Sequence, residues 1–218
     1  MHVLDDLLYF PPVNQADEYG LLAVGGDLST ERLLLAYKSG VFPWFEEGQP
    51  ILWYAPNPRM VLLFKYLKIS KSMRQILRKE IFKVTVNTCF KEVITRCAHQ
   101  KRKGQDGTWI TDSMIEAYTK LHKQGNALSI EVWQNEELVG GLYGVDLKEE
   151  KIFCGESMFS AVSNASKVAF YYSAHYFQQK EYKLIDCQMH NDHLESLGCV
   201  EVLRDDFMTV LNTKKPEI

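Results

Sequence analysis

The sequence predicts an α+β fold, and three observations carry that prediction. From Ser70 onward, apolar residues recur at helical spacing behind recognisable caps. Three strand-like runs then follow one another across short turns, the signature of an antiparallel meander. After them strands and helices alternate to the end. The first part of the chain is different, punctuated by Pro and Gly. The expected organisation is therefore a small, aromatic-rich N-terminal domain over residues 1–65 and a larger domain over residues 66–218.

In the first part, "PPVNQADEYGLLAVGGDLS" is turn-rich. Ser29 caps a helix over "TERLLLAYKSG", which puts Leu33, Leu34 and Tyr37 on one side and stops at Gly40. The next stretch, "VFPWFEEGQPILWYAPNPRMVLLF", holds two of the four tryptophans and reads as irregular. Ser70 caps a basic amphipathic helix over "SKSMRQILRKE", "FKVTVN" is a strand, and "TCFKEVITRCA" is a helix with Phe90, Val93, Ile94 and Cys97 inward. Thr111 caps "DSMIEAYTKLHKQG", with Ile110 and Ile115 able to staple across the cap. "LSIEVW", "ELVGGLYGV" and "KIFCGESMF" form the meander. A helix over "NASKVAFYYSAHYFQ", a strand "KLIDCQ", a short helix "DHLESLG" and a strand "CVEVLR" complete the order. This α+β plan resembles the GNAT-like (acyltransferase-like) fold in its C-terminal domain.

Composition excludes several classes. The chain has 218 residues, 46% hydrophobic and 24% charged, ample for a core of ordinary kind. "MHVLDDLLYFPP" has neither a basic start nor a long apolar run, so no signal peptide is expected. No stretch approaches the ~20 apolar residues of a membrane helix. A net charge of −3 argues against uniform coating of nucleic acid, yet leaves room for a local basic face. The five cysteines are odd in number and form no C-x-x-C pair, which points to reduced thiols and a cytoplasmic protein.

The richest stretch chemically is "LIDCQMHNDHLESLG", residues 184–198. A metal site from Asp186, His190 and His193 is disfavoured, because a cap at Asn191 separates the two histidines and no H-E-x-x-H pattern exists. Cys187 reads as a core thiol, opposite in the pleat to Asp186 and Gln188. Those two share one strand face at a strand end, where an acid and an amide can orient a nucleophile and donate to a developing oxyanion. The plainer alternative is that Asp186 bonds the neighbouring turn. In "CGESMFS", Glu156 sits in an apolar strand, where a carboxylate needs a partner. That partner is either a nearby Lys or Arg, or a substrate amine. The turn after this strand, "SAVSNASK", has no glycine with which to cradle the pyrophosphate of coenzyme A. Basic residues gather at Lys71, Arg74 and Arg78, and again at Lys101, Arg102 and Lys103, as solvated faces or as contacts to a phosphate backbone. Trp53 and Trp109 are either core aromatics or platforms on which bases stack.

Read in order, "GLLAVGGDLS", "LLLAYKSGVFPWF", "PILWYAPNPRMVL", "GTWITDSM", "LVGGLYGV", "FCGESMFS", "NASK" and "LIDCQMHNDHLESLG" resemble the leucyl/phenylalanyl-tRNA–protein transferase family, from about Tyr19 to Phe207. The chain departs from the family at Leu128, where His is usual, at Tyr54 beside Trp53, and at Ser173, where relatives carry bulkier apolar residues. The resemblance implies transfer of leucine or phenylalanine from aminoacyl-tRNA to an acceptor protein beginning with Arg or Lys. The product is marked for N-end-rule degradation in the bacterial cytoplasm. The ester is already activated, so no metal and no cofactor are expected. On this reading Gln188 bonds the reacting centre and Asp186 orients it or the amine. Leu142, Phe153, Met158, Phe170 and Ile185, with Trp53, Trp109 and Glu156, serve substrate binding. A GNAT-like N-acetyltransferase using acyl-CoA and a non-catalytic tRNA-binding module are the alternatives.

Overall fold

The computed structural model describes residues 1–100 and 109–213, so Lys101, Arg102 and Lys103 lie outside the described residues. In the first part, strands β1 (His2–Leu4), β2 (Leu21–Gly25), β3 (Phe42–Pro43) and β4 (Leu52–Tyr54) make a sheet in the order β1-β2-β4-β3. Helix α1 (Thr30–Lys38) is capped by Ser29, whose side chain accepts from the Arg32 N–H. The stretch expected to be irregular thus contains a small sheet. Its strands run two to five residues, too short for alternation to register against Pro and Gly.

Seven strands build the second sheet: β5 (Arg59–Leu62), β6 (Lys83–Val86), β7 (Ala127–Gln134), β8 (Glu137–Leu147), β9 (Ile152–Ser160), β10 (Leu184–Gln188) and β11 (Val200–Val202), in the order β11-β5-β10-β9-β8-β7-β6. Strands β6 to β9 form the antiparallel meander, and β10 returns parallel to β9. The helices are α2 (Lys71–Arg78), α3 (Phe90–Ala98), α4 (Asp112–Lys123), α5 (Ala165–Gln179), α6 (Asp192–Ser196) and α7 (Arg204–Asn212). This is the acyltransferase-like plan expected from the order of elements. Two elements were not anticipated. Strand β5 leaves the Pro-rich stretch to join the large sheet between β10 and β11, so the chain passes from one sheet to the other between Tyr54 and Arg59. Helix α7 follows β11.

Each face of the large sheet has its own core. On one side Leu33 and Tyr37 of α1, Val93 and Ile94 of α3 and Tyr118 of α4 pack with Tyr143, Val145 and Cys154. On the other, Met73 of α2 and Val168, Phe170 and Phe177 of α5 pack with Leu142, Phe153 and Ile185. The two-residue period of β8 sends Leu142 one way and Tyr143 the other. Helix α5 approaches so closely that a Cβ on Gly140 would lie 2.5 Å from the Ala165 Cβ. Among the described residues no helix is long and apolar enough to cross a membrane.

Candidate active site

Strands β9 and β10 pair in parallel only as far as Cys154 and Asp186. Just beyond, each carries an extra residue. Against β8, Gly155 pairs with Gly144 and Ser157 with Tyr143, which leaves Glu156 over. Against β5, Asp186 pairs with Val61 and Gln188 with Met60, which leaves Cys187 over. Such bulges end pairing and re-aim side chains. Gln188 takes a left-handed backbone, φ 66°, to achieve this. The first bulge also needs Gly144, where a Cβ would meet the Cys154 carbonyl oxygen at 2.1 Å. Where the strands part there is a cavity of about 360 Å³. Leu142, Phe153, Met158, Phe170 and Ile185 line it, together with Trp109, Glu156 and Cys187. Asn191, His193 and Leu194 line it from α6 and its cap.

Glu156 is the buried polar centre. Its Oε1 accepts from Gln188 Nε2 at 2.6 Å, and its Oε2 accepts from the Tyr118 hydroxyl at 3.2 Å. The Tyr118 hydroxyl also bonds the Tyr37 hydroxyl of α1. Burial pushes the Glu156 carboxyl up to about 7; hydrogen bonds from Tyr37, Gln188 and Tyr118 hold it back, and the Asp186 charge adds to the rise. Among the described residues no salt bridge forms on Glu156, so its partners are an amide and a phenol, not the Lys or Arg considered above.

Asp186 stands on the opposite face from the cavity. Arg59 holds it bidentately, Nε to Oδ1 at 2.8 Å and Nη2 to Oδ2 at 2.7 Å, with both residues buried. Burial disfavours the Arg59 charge, but Asp186 outweighs it and keeps the guanidinium above its ordinary value. Asp186 Oδ1 also accepts the backbone N–H of Gln188 at 3.0 Å. The carboxylate therefore fixes the left-handed turn that aims the Gln188 amide at Glu156.

Two expectations need correction. The cavity lies on the other face from the one expected: Cys187 lines it together with Ile185, two residues earlier, and the alternation the two keep turns Asp186 away to Arg59. Trp53 is fully buried, its indole N–H donating to the Gly25 carbonyl at 2.9 Å and its ring against Phe10, so it has no face for a base. Trp109 is half-buried at the cavity. Ser173 lines the cavity too, with its hydroxyl donating to the Phe170 carbonyl at 2.8 Å. Lys71, Arg74 and Arg78 are exposed on α2. Asp186, His190 and His193 do not gather: His190 pairs with Asp192 and Glu201, while His193 sits in α6. Sequence reasoning passed over Arg59, Tyr37 and Tyr118. The signal for Arg59 was present, since a cation inside the run "RMVL" needs a buried acid as much as Glu156 needs a donor.

The sheet plan, with a cavity where two parallel strands part, is that of an acyltransferase-like fold. The leucyl/phenylalanyl-tRNA protein transferase family model matches residues 61–212, and that of the family's N-terminal domain matches residues 26–57. The leucyl/phenylalanyl-tRNA–protein transferase of Flavobacterium johnsoniae is 64% identical, over 98% of this chain and 100% of the relative. The one of Flavobacterium psychrophilum is 59% identical, over 97% of this chain and 99% of the relative. Among solved structures, L-PGS from Bacillus licheniformis aligns with a TM-score of 0.44 at 14% identity, over 78% of this chain and 54% of that one. The chain belongs to the leucyl/phenylalanyl-tRNA protein transferase family and is an aminoacyltransferase.

Proposed function

We propose that the chain moves leucine or phenylalanine from its tRNA to the α-amine of an acceptor protein that begins with Arg or Lys, in the cytoplasm, marking the acceptor for degradation. The observation that carries this reading is the apolar cavity with a carboxyl at its wall, Glu156, which the Gln188 amide holds by a hydrogen bond. The donor side chain enters among Leu142, Phe153, Met158, Phe170 and Ile185, and Trp109 packs beside it. That sets the ester carbonyl near Glu156 and Gln188. The acceptor amine attacks the carbonyl carbon, the bond to the ribose oxygen breaks, and that oxygen takes up a proton. An α-amine of pKa ~8 loses its proton cheaply, so orientation supplies most of the rate. A carboxyl at about 7 suits acceptance of that proton near neutral pH. Gln188 spends one amide hydrogen on Glu156 and keeps the other and its carbonyl for the substrate. Asp186 acts at one remove, as a positioning residue for Gln188. The tRNA backbone lies along Lys71, Arg74 and Arg78. The two parts of the chain, divided between Tyr54 and Arg59, work as one unit, since Tyr37 of the first part supports the hydrogen-bond chain ending on Glu156.

The first turn of α5 favours an aminoacyl ester over acyl-CoA. There the Ser166 N–H is taken by the Ser160 hydroxyl at 3.2 Å, where a glycine-rich turn would leave it for a pyrophosphate. The test is transfer of labelled leucine from leucyl-tRNA to an Arg-starting peptide. Binding of the charged tRNA without transfer would identify a binding module instead.

A further inference from the structure

Cys187, the extra residue of the β10 bulge, lines the cavity, and its Sγ lies 3.7 Å from that of Cys199. A disulfide is about 2.05 Å long, so the two sulfurs need close by only about 1.7 Å. Both thiols are buried, and Cys187 is reached from the cavity. Cys199 is held firmly: its N–H donates to the Leu194 carbonyl at 3.1 Å, and Lys68 N–H donates to the Leu197 carbonyl at 2.8 Å. Gly198, with φ 106°, packs so closely that a Cβ would meet the Tyr66 carbonyl oxygen at 2.0 Å. Between the two cysteines run Asn191, His193 and Leu194, which form one side of the cavity.

We propose that Cys187 and Cys199 are a disulfide-forming pair through which a peroxide reversibly shuts down the cavity. The thiolate of Cys187 attacks a peroxide oxygen and becomes a sulfenic acid, with water or alcohol leaving. The Cys199 sulfur then attacks that sulfur and the second oxygen departs as water. Two thiols lose two electrons and two protons, and the peroxide gains them. The bond draws the Cys187 sulfur toward Cys199, away from its place in the wall, and ties both ends of the segment carrying Asn191 and His193. Gln188 is the next residue, so its amide moves with the bulge. Hydrogen bonding to Cys199 and burial push the Cys187 thiol up, which makes the first step slow and favours oxidants small enough to enter the cavity.

The loss of activity rests on the transferase reading above; the bond itself does not. The full chain is treated with hydrogen peroxide, and half is digested without reductant for peptide masses. The expected result is a linked pair of peptides containing Cys187 and Cys199, lighter than their sum by two hydrogens. Leucine transfer by the other half should fall roughly tenfold or more, the scale of an ångström-sized misplacement, and return with a dithiol. Cys199→Ala should transfer leucine normally before treatment, yield no such link, and show a loss that a dithiol does not repair in step with any bridge. Cys187 recovered as a sulfinic acid with Cys199 still a thiol would overturn the pairing. A linked pair with transfer unchanged would overturn the shutdown. If the untreated chain transfers nothing, the functional reading fails while the peptide masses still decide the bond.

Discussion

Glu156 holds a proton near neutral pH because burial opposes its charge more than Gln188, Tyr118 and Tyr37 support it. The folded chain keeps a proton that the unfolded chain, with its carboxyl at the ordinary 4.5, releases. The stability this contributes is therefore full below about 4.5 and is lost as pH rises to about 7, by up to about 3 kcal/mol. Glu156→Gln should flatten the fall in melting temperature across that window. Transfer should behave oppositely, rising through about 7 as the carboxylate forms and again toward ~8 as the amine deprotonates. The variant should lose only the first rise; if both rises survive, Glu156 is not the proton acceptor. Asp186 and Gln188 separate by a different readout. Gln188→Ala should cut transfer about 10²-fold with little change in melting, as for one positioned polar group. Asp186→Ala strands a buried Arg59 and should cost about 3–5 kcal/mol. Replacing both members, Asp186→Leu with Arg59→Met, should restore much of the stability but not the transfer. Recovery of both would make the pair structural only.

Two bulges on adjacent strands turn a sheet into a site, and the elements around them set its selectivity. Leu142 of β8 lies opposite Met158 of β9 at the cavity wall, 4% exposed. Leu142→Trp should depress phenylalanine transfer more than leucine transfer, because the larger ring loses its space first. Contacts of this kind are worth ~1–3 kcal/mol, so preference shifts while chemistry persists. Matched leucyl- and phenylalanyl-tRNA donors with one peptide measure the shift, and equal losses would remove Leu142 from the pocket. Helix α2 buries Met73 and turns Lys71, Arg74 and Arg78 to solvent. Reversing the three charges should weaken binding of charged tRNA and reduce its logarithmic salt slope by about 0.9 per lost phosphate contact. An unchanged slope would place the backbone elsewhere.

Across the whole molecule, the small sheet and α1 do more than precede the acyltransferase-like part. Leu33, Tyr37 and Phe42 belong to the same core as Tyr118, Leu121 and Tyr143, and Tyr37 supplies a hydroxyl to the chain that ends on Glu156. Arg59, the first residue of β5, anchors Asp186 and packs its guanidinium between Phe42 and Phe207, 4.8 Å from each ring. Residues 59–213 expressed alone should therefore expose that core and show no cooperative thermal transition. A sharp melt close to that of the full chain would mean the two parts are energetically separate.

The sequence by itself determined the helix starts at Ser29, Ser70 and Thr111, the meander, the strand that became β10 and the α+β class. These rest on caps and periodicities within a dozen residues, where local chemistry dominates. It also singled out Glu156 and the apolar residues that the fold gathers around one cavity, and Gln188, which bonds Glu156. Only the tertiary structure decided that the cavity lies on the face of Ile185 and Cys187 and not on that of Asp186, because the period of a strand separates two faces without saying which one meets an open space. The same holds for Arg59 and Asp186, which are 127 residues apart in the chain, and for Tyr37 and Tyr118, 81 apart. Whether a buried charge finds its partner is settled by the packing of the whole chain, and no window of sequence contains it.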